Sequence, residues 1–163
     1  MKQLVVAALL CGLGAAADAG TTTGTMTVTA SVASSCSVTA GTLAFGAYNT
    51  VTGTAVNGST TLSLSCTKGS TATITLGQGS QPATGSTDII PLRQMANGTS
   101  RLGYSIFQDP TRLIIWGNTA ITGVTYLSLT AAATNVNVYG TITASQDVPG
   151  GSYTDSVLAT VSF

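Results

Sequence analysis

The run Val138-Tyr139-Gly140-Thr141-Ile142-Thr143-Ala144-Ser145-Gln146-Asp147-Val148-Pro149-Gly150-Gly151-Ser152-Tyr153-Thr154-Asp155-Ser156-Val157-Leu158-Ala159-Thr160-Val161-Ser162-Phe163 decides the fold. Two stretches of alternating side chains flank a Pro-Gly-Gly turn, which is the period and punctuation of β-strands. The second stretch closes on an aromatic, and this predicts that Phe163 itself belongs to a sheet. Val157, Ala159, Val161 and Phe163 share one face of that strand. A strand in such a position is an unpaired edge.

Working outward, the same alternation recurs along the chain. Strands are predicted at 25–32, 36–38, 43–48, 60–66, 71–76, 101–108, 113–116, 126–130, 137–144 and 156–163. Gly53, Asn57-Gly58, Gly77-Gln78-Gly79 and Asn97-Gly98 punctuate them. Asn57-Gly58-Ser59 and Asn97-Gly98-Thr99 also fit a glycosylation pattern, but Asn-Gly is a favoured hairpin turn, and the turn is the better reading. Composition agrees: Thr, Ser, Gly, Ala and Val dominate. Charged residues make up 6% of the chain, against roughly a quarter in ordinary globular domains. The class is all-β, in one sandwich-sized domain.

The first residues are set apart from the fold. Met1-Lys2-Gln3 is a short positive region, Leu4–Leu13 is apolar but too short to span a bilayer, and Ala17-Asp18-Ala19 offers a small-x-small cleavage site. Residues 1–19 are read as a cleaved signal peptide, so the chain is exported. Cys11 lies within the apolar stretch and lacks the small residues before it that a lipid-anchored site would need. In the exported chain Lys68, Arg93, Arg101 and Arg112 stand against Asp88, Asp109, Asp147 and Asp155, for a formal charge of zero. Nothing here attracts nucleic acid, and a neutral surface does little to oppose self-association.

Cys36 and Cys66 remain. In an exported chain without histidine they point to a disulfide rather than a metal site. Such a bridge would close a loop of about 30 residues, with a stabilisation of roughly 3 to 4 kcal/mol in the chain-entropy account. A bond between subunits is the alternative. Catalysis is poorly provided for: histidine and glutamate are absent, and the four aspartates of the exported chain show no spacing that singles out a pair. No enzyme activity, cofactor or metal is expected. Trp116 and Tyr104 are read as packing residues, and Arg93, Asp109, Arg112 and Asp155 as candidates for buried or rim ion pairs.

Several pieces in order carry a resemblance: Arg93-Gln94-Met95-Ala96-Asn97-Gly98, Leu102-Gly103-Tyr104-Ser105-Ile106-Phe107-Gln108-Asp109, Arg112, Trp116-Gly117, Val138-Tyr139-Gly140, Pro149-Gly150-Gly151-Ser152-Tyr153-Thr154-Asp155 and Phe163. The chain resembles the spore coat protein U domain family, which includes the subunits of archaic chaperone-usher pili. The resemblance implies an incomplete immunoglobulin-like β-sandwich that lacks its last strand and is completed by donor-strand complementation from a neighbouring subunit. It further implies a periplasmic chaperone that holds the groove before assembly, an outer-membrane usher that catalyses the exchange, and a homopolymer of identical or related pilin subunits. The product would be a pilus fibre at the cell surface serving adhesion and biofilm formation. The size fits a single-domain pilin without a receptor-binding domain.

Residues 20–33 then become the donor segment and 34–163 the pilin domain. Met26, Val28, Ala30 and Val32 alternate along 25–32 and are the plugs that the resemblance implies; on its residues alone, this stretch reads rather as the first strand of its own sandwich. Ala30, the smallest plug, is expected to face a shallow or already filled pocket. Val157, Ala159, Val161 and Phe163 are expected to line the acceptor groove and meet the chaperone. Two other readings stay open: a secreted spore or cell-surface coat protein that forms no ushered fibre, and a carbohydrate-binding module with Trp116 and Tyr126 exposed together.

Overall fold

The computed structural model describes residues 18–163. The expected signal peptide, 1–19, therefore lies almost wholly outside the described residues. The chain divides into two units, Met1–Ser31 and Val32–Phe163. In the first, residues 18–31 form neither helix nor strand, and every one is exposed.

The second unit is all-β, as expected: β1 (Cys36–Ala40), β2 (Val56–Cys66), β3 (Thr71–Leu76), β4 (Arg93–Asn97), β5 (Ser100–Phe107), β6 (Val124–Leu127), β7 (Thr134–Ile142) and β8 (Ala159–Ser162). Five strands pair in the order β1-β2-β7-β5-β4, and three in the order β6-β3-β8. Every pairing is antiparallel. Period-2 alternation assigns the faces: Leu62, Leu64 and Cys66 of β2, Ala72, Ile74 and Leu76 of β3, Leu102, Tyr104 and Ile106 of β5, and Val138 and Ile142 of β7 all turn inward and are buried. Each large aliphatic among them contributes roughly 1.5 to 3 kcal/mol by leaving water. Trp116 is fully buried in this core, and its indole N–H donates to the Ile74 carbonyl at 2.9 Å. Burial of Trp116 removes the exposed aromatic pair that the carbohydrate reading needed.

Cys36 and Cys66 stand opposite one another in the β1–β2 register and are bonded, S–S 2.06 Å. The bridge ties the edge strand β1 to β2 at the end where β1 begins.

Several features depart from the sequence reading. The expected strands at 25–32 and 113–116 do not form, and the two strands of the closing run are not neighbours, because β7 lies in the five-stranded sheet and β8 in the three-stranded one. Alternation reports which face is buried and is silent on which sheet a strand joins. Phe163 falls just beyond β8 and is 59% exposed. The stretch 43–48 enters no strand, and β4, from Arg93 to Asn97, was missed. Of the two Asn-Gly pairs, Asn97-Gly98 does turn between β4 and β5, with Gly98 at φ +56°, whereas Asn57-Gly58 lies inside β2.

Candidate functional site

The chain follows the edge of β2 only as far as Gly41, whose N–H donates to the Thr61 carbonyl at 2.9 Å. It then leaves the edge and crosses the inner face of the larger sheet. Two glycines make this approach possible. Gly58 and Gly140 are direct cross-strand partners. A Cβ on Gly58 would stand 3.0 Å from the Ala44 carbonyl oxygen and 3.1 Å from Phe45, and one on Gly140 would stand 2.8 Å from both Leu43 and Phe45. Real Cβ contacts are not that short, so the bare pair of glycines is the seat on which Leu43 and Phe45 rest.

On the other side, residues 148–159 run toward β8. Between this stretch and residues 40–50 opens a groove of 830 Å³. Its floor includes Leu62, Leu76, Leu102, Tyr104, Ile106 and Val138. β1 and β8 approach within 8 Å between Cα atoms, yet β8 pairs with β3 alone. One edge of β8 is therefore open.

The two lips of the groove differ in how they are held. Between Thr42 and Tyr48 no main-chain group takes part in a main-chain hydrogen bond among the described residues. Leu43, Phe45 and Tyr48 pack on the core instead, the Phe45 ring meets Tyr104 edge-on at 5.8 Å, and the Tyr48 hydroxyl accepts the Gln146 N–H at 2.8 Å. The second lip is bonded through Thr154, which exchanges two main-chain hydrogen bonds with Ala96 at 2.8 and 3.1 Å. Its neighbour Asp155 accepts from Ser80 N–H at 2.7 Å and from the Tyr104 hydroxyl at 2.7 Å. Tyr104, on the floor, thus touches both lips.

Beneath this contact lies Arg93, 1% exposed. Its guanidinium donates to the carbonyls of Gly77, Leu76 and Trp116, each at 2.8 Å, and leaves one nitrogen without a partner. Burial pulls Arg93 down to about 10, against the opposing influence of Tyr104 and Asp155. Burial also drives the Tyr104 phenol well above its ordinary value, reinforced by its bond to Asp155. The expected ion pairs give way to main-chain partners. Arg112 donates to Gly140 and Pro110 carbonyls, and Asp109 accepts from Thr111 and from the N–H groups of Leu113 and Ile114. Buried carbonyls need donors, and Arg93 supplies them to Leu76 and Trp116.

The sequence comparison decides the family, since the Spore Coat Protein U domain matches residues 22–160. The chain belongs to the Spore Coat Protein U domain family. It is 45% identical over 158 residues to Protein U of Myxococcus xanthus, a match covering 90% of this chain and 88% of that protein. In fold it is similar to a chain in the crystal structure of the CsuC-CsuE chaperone-tip adhesion subunit pre-assembly complex from archaic chaperone-usher Csu pili of Acinetobacter baumannii, with a TM-score of 0.57 and 20% identity. That match covers 81% of the present chain, which spans 40% of the length of the solved one.

In this Spore Coat Protein U domain the expected groove residues fall into two groups. Val157 and Ala159 line the groove. Val161 packs against the core, and Phe163 is exposed outside the lining. Met26, Val28 and Val32 are 83%, 80% and 85% exposed, and Ala30 is exposed as well. Sequence reasoning took the first lip for a strand and missed the joining of Arg93, Tyr104 and Asp155 in one cluster. The signal for the lip was present in Gly58 and Gly140, each a bare position within an otherwise alternating strand.

Proposed function

We propose that the chain is a structural subunit of an archaic chaperone-usher pilus, exported through the periplasm and polymerised by donor-strand exchange into a surface fibre for adhesion and biofilm formation. Residues 20–33 of one subunit enter the groove of the next, with Met26, Val28, Ala30 and Val32 as plugs, and 34–163 form the receiving pilin domain. A periplasmic chaperone occupies the groove first, and an outer-membrane usher exchanges it for the incoming strand.

One observation carries this reading: a groove with an unbonded main-chain lip on one side and, next to its other lip, a strand with one open edge, in a chain that also carries an exposed, alternating, unpaired segment. Strand addition satisfies both, because main-chain bonds supply affinity and alternate side chains supply selectivity. Each fully buried Met or Val contributes roughly 1.5 to 3 kcal/mol, while ordering each extended residue costs on the order of 1 to 2 kcal/mol. Side-chain burial alone nearly cancels over such a segment. The drive for assembly is then the open edge and uncovered core of the acceptor.

The test is export of the full chain and of a chain lacking Gly20–Val32, with products sized by gel filtration and electron microscopy. Heat-resistant polymers from the full chain, against a chaperone-bound or aggregating monomer from the deleted one, are expected. Stable soluble monomers from both would overturn the proposal. The name of the family favours a second reading, a coat protein that packs on a surface without an usher; polymers that form equally in cells lacking the usher would favour it.

A further inference from the structure

The groove floor is not uniform. Where Gly58 faces Gly140 the space is already taken by Leu43 and Phe45 of the same chain, and Phe45 is braced edge-on against Tyr104. On one side of this step the lining is Leu62 and Val138, and on the other it includes Met95, Val148 and Tyr153. A side chain entering the groove over the step meets Leu43 and Phe45 in place of open floor, which favours a small one there.

The exposed segment has a matching irregularity. Its alternate positions read Met26, Val28, Ala30, Val32, large except at the third. We propose that Leu43 and Phe45, seated on the Gly58–Gly140 pair, set the register of the incoming strand by admitting only Ala30 of the neighbouring copy above them. This rests on the donor-strand reading above and adds the alignment it leaves open. A shift by one residue turns every plug outward. A shift by two brings the branched side chain of Val28 or Val32 onto a filled floor, where overpacking opposes it. One alignment remains.

The full-length exported chain tests this. Ala44→Cys leaves the step intact and places a thiol on the lip beside it. Chains carrying it are co-assembled with chains carrying Val28→Cys, Ala30→Cys or Val32→Cys, and intersubunit disulfides are read on non-reducing gels. Positions two residues apart on a strand differ by about 7 Å, whereas bridged Cα atoms lie within about 7 Å of each other, so the three partners are separable. The expected main product comes from Ala30→Cys. A main product from Val28→Cys or Val32→Cys would overturn the register and leave the donor reading standing. Polymers that give no product with any of the three, or no polymers at all, would overturn the donor reading and the register with it.

A volume swap gives a second readout. Ala30→Leu is expected to lower polymer yield about tenfold, the size of a modest overpacking penalty, and Phe45→Ala in the same chain to restore it. Undiminished polymer from Ala30→Leu alone would overturn the filled step. Should Phe45→Ala impair folding, the cross-linking and the single Ala30→Leu result decide.

Discussion

The two lips of the groove solve one structural problem by different physics. Thr42–Tyr48 is held by Leu43, Phe45 and Tyr48 with no main-chain bond among the described residues, while the stretch through Thr154 and Asp155 is pinned by hydrogen bonds at 2.7 to 3.1 Å. Apolar contact is non-directional and lets a segment slide; hydrogen bonds lose most of their strength when bent. With the groove empty, the first lip is therefore the adaptable side and the second the fixed one; main-chain bonds to an incoming strand would fix the first as well. For a site that must accept one occupant and exchange it for another, that division keeps one reference edge in place.

Cutting the fixed lip tests this most severely. Asp155→Ala removes acceptors used by Ser80, Ser156 and Tyr104 and takes away the nearby negative charge that favours the buried Arg93 cation. A loss of about 3 kcal/mol is expected from stranding buried polar groups, read as a lower urea midpoint. Chymotrypsin should then cut after Tyr153 sooner than in the parent chain. An unchanged midpoint would mean that the second lip is held by something other than Asp155.

The legibility of the two lips in the sequence differs for the same reason. Alternation found β2, β3, β5 and β7 because each has one wet and one dry face, and cysteine usage in an exported chain gave the Cys36–Cys66 bond. The first lip carries the alternating Leu43 and Phe45 of a strand and was read as one. Its side chains are inside, but its main chain has no partner, and side-chain pattern carries no information about pairing. Within the second lip Pro149-Gly150-Gly151 was read as a turn between two strands, and that chemistry serves equally in a long crossing between sheets. Arg93 was read as a candidate for an ion pair, but what draws it inward is the main-chain carbonyls of Leu76, Gly77 and Trp116, which no side-chain pattern reports.

Tyr104, which touches both lips, distinguishes them by pH. Its phenol is held above the ordinary value of 10.0 by burial first and then by its bond to Asp155. Below pH 10 the folded and unfolded chains both keep this proton, and the stabilisation is fully present. Above pH 10 the unfolded chain releases it and the folded chain does not, so stability falls as pH rises. Tyr104→Phe should cost about 1.5 to 3 kcal/mol at neutral pH, the worth of a bond to a charged acceptor. The difference from the parent should shrink above pH 10. Arg93, lowered to about 10, acts with the opposite sign over the same range, because there the unfolded chain binds the extra proton. In the Phe variant its contribution is unopposed at this site, and the alkaline limb should flatten or turn upward. A constant difference across pH would place the Tyr104 hydroxyl outside the network that pins the second lip.

The smallest expected effect falls on the adaptable lip and is the more informative for it. Gly140→Ala introduces a Cβ 2.8 Å from the side-chain ends of Leu43 and Phe45, atoms that can withdraw if the lip withdraws with them. Were the first lip as fixed as the second, the added methyl would have no escape, and overpacking would cost up to about 3 kcal/mol. With an adaptable lip the cost should be about 1 kcal/mol or less, near the lower end of that range. It should appear as displacement rather than unfolding: faster chymotryptic cleavage after Phe45 and Tyr48, with cleavage after Tyr153 unchanged. Because Ala has no longer reach than its single methyl, the groove floor stays otherwise intact, and any change in cleavage reports the lip alone. Equal acceleration at Tyr153 would show that the two lips move as one body, and the division between an adaptable and a fixed side would fall.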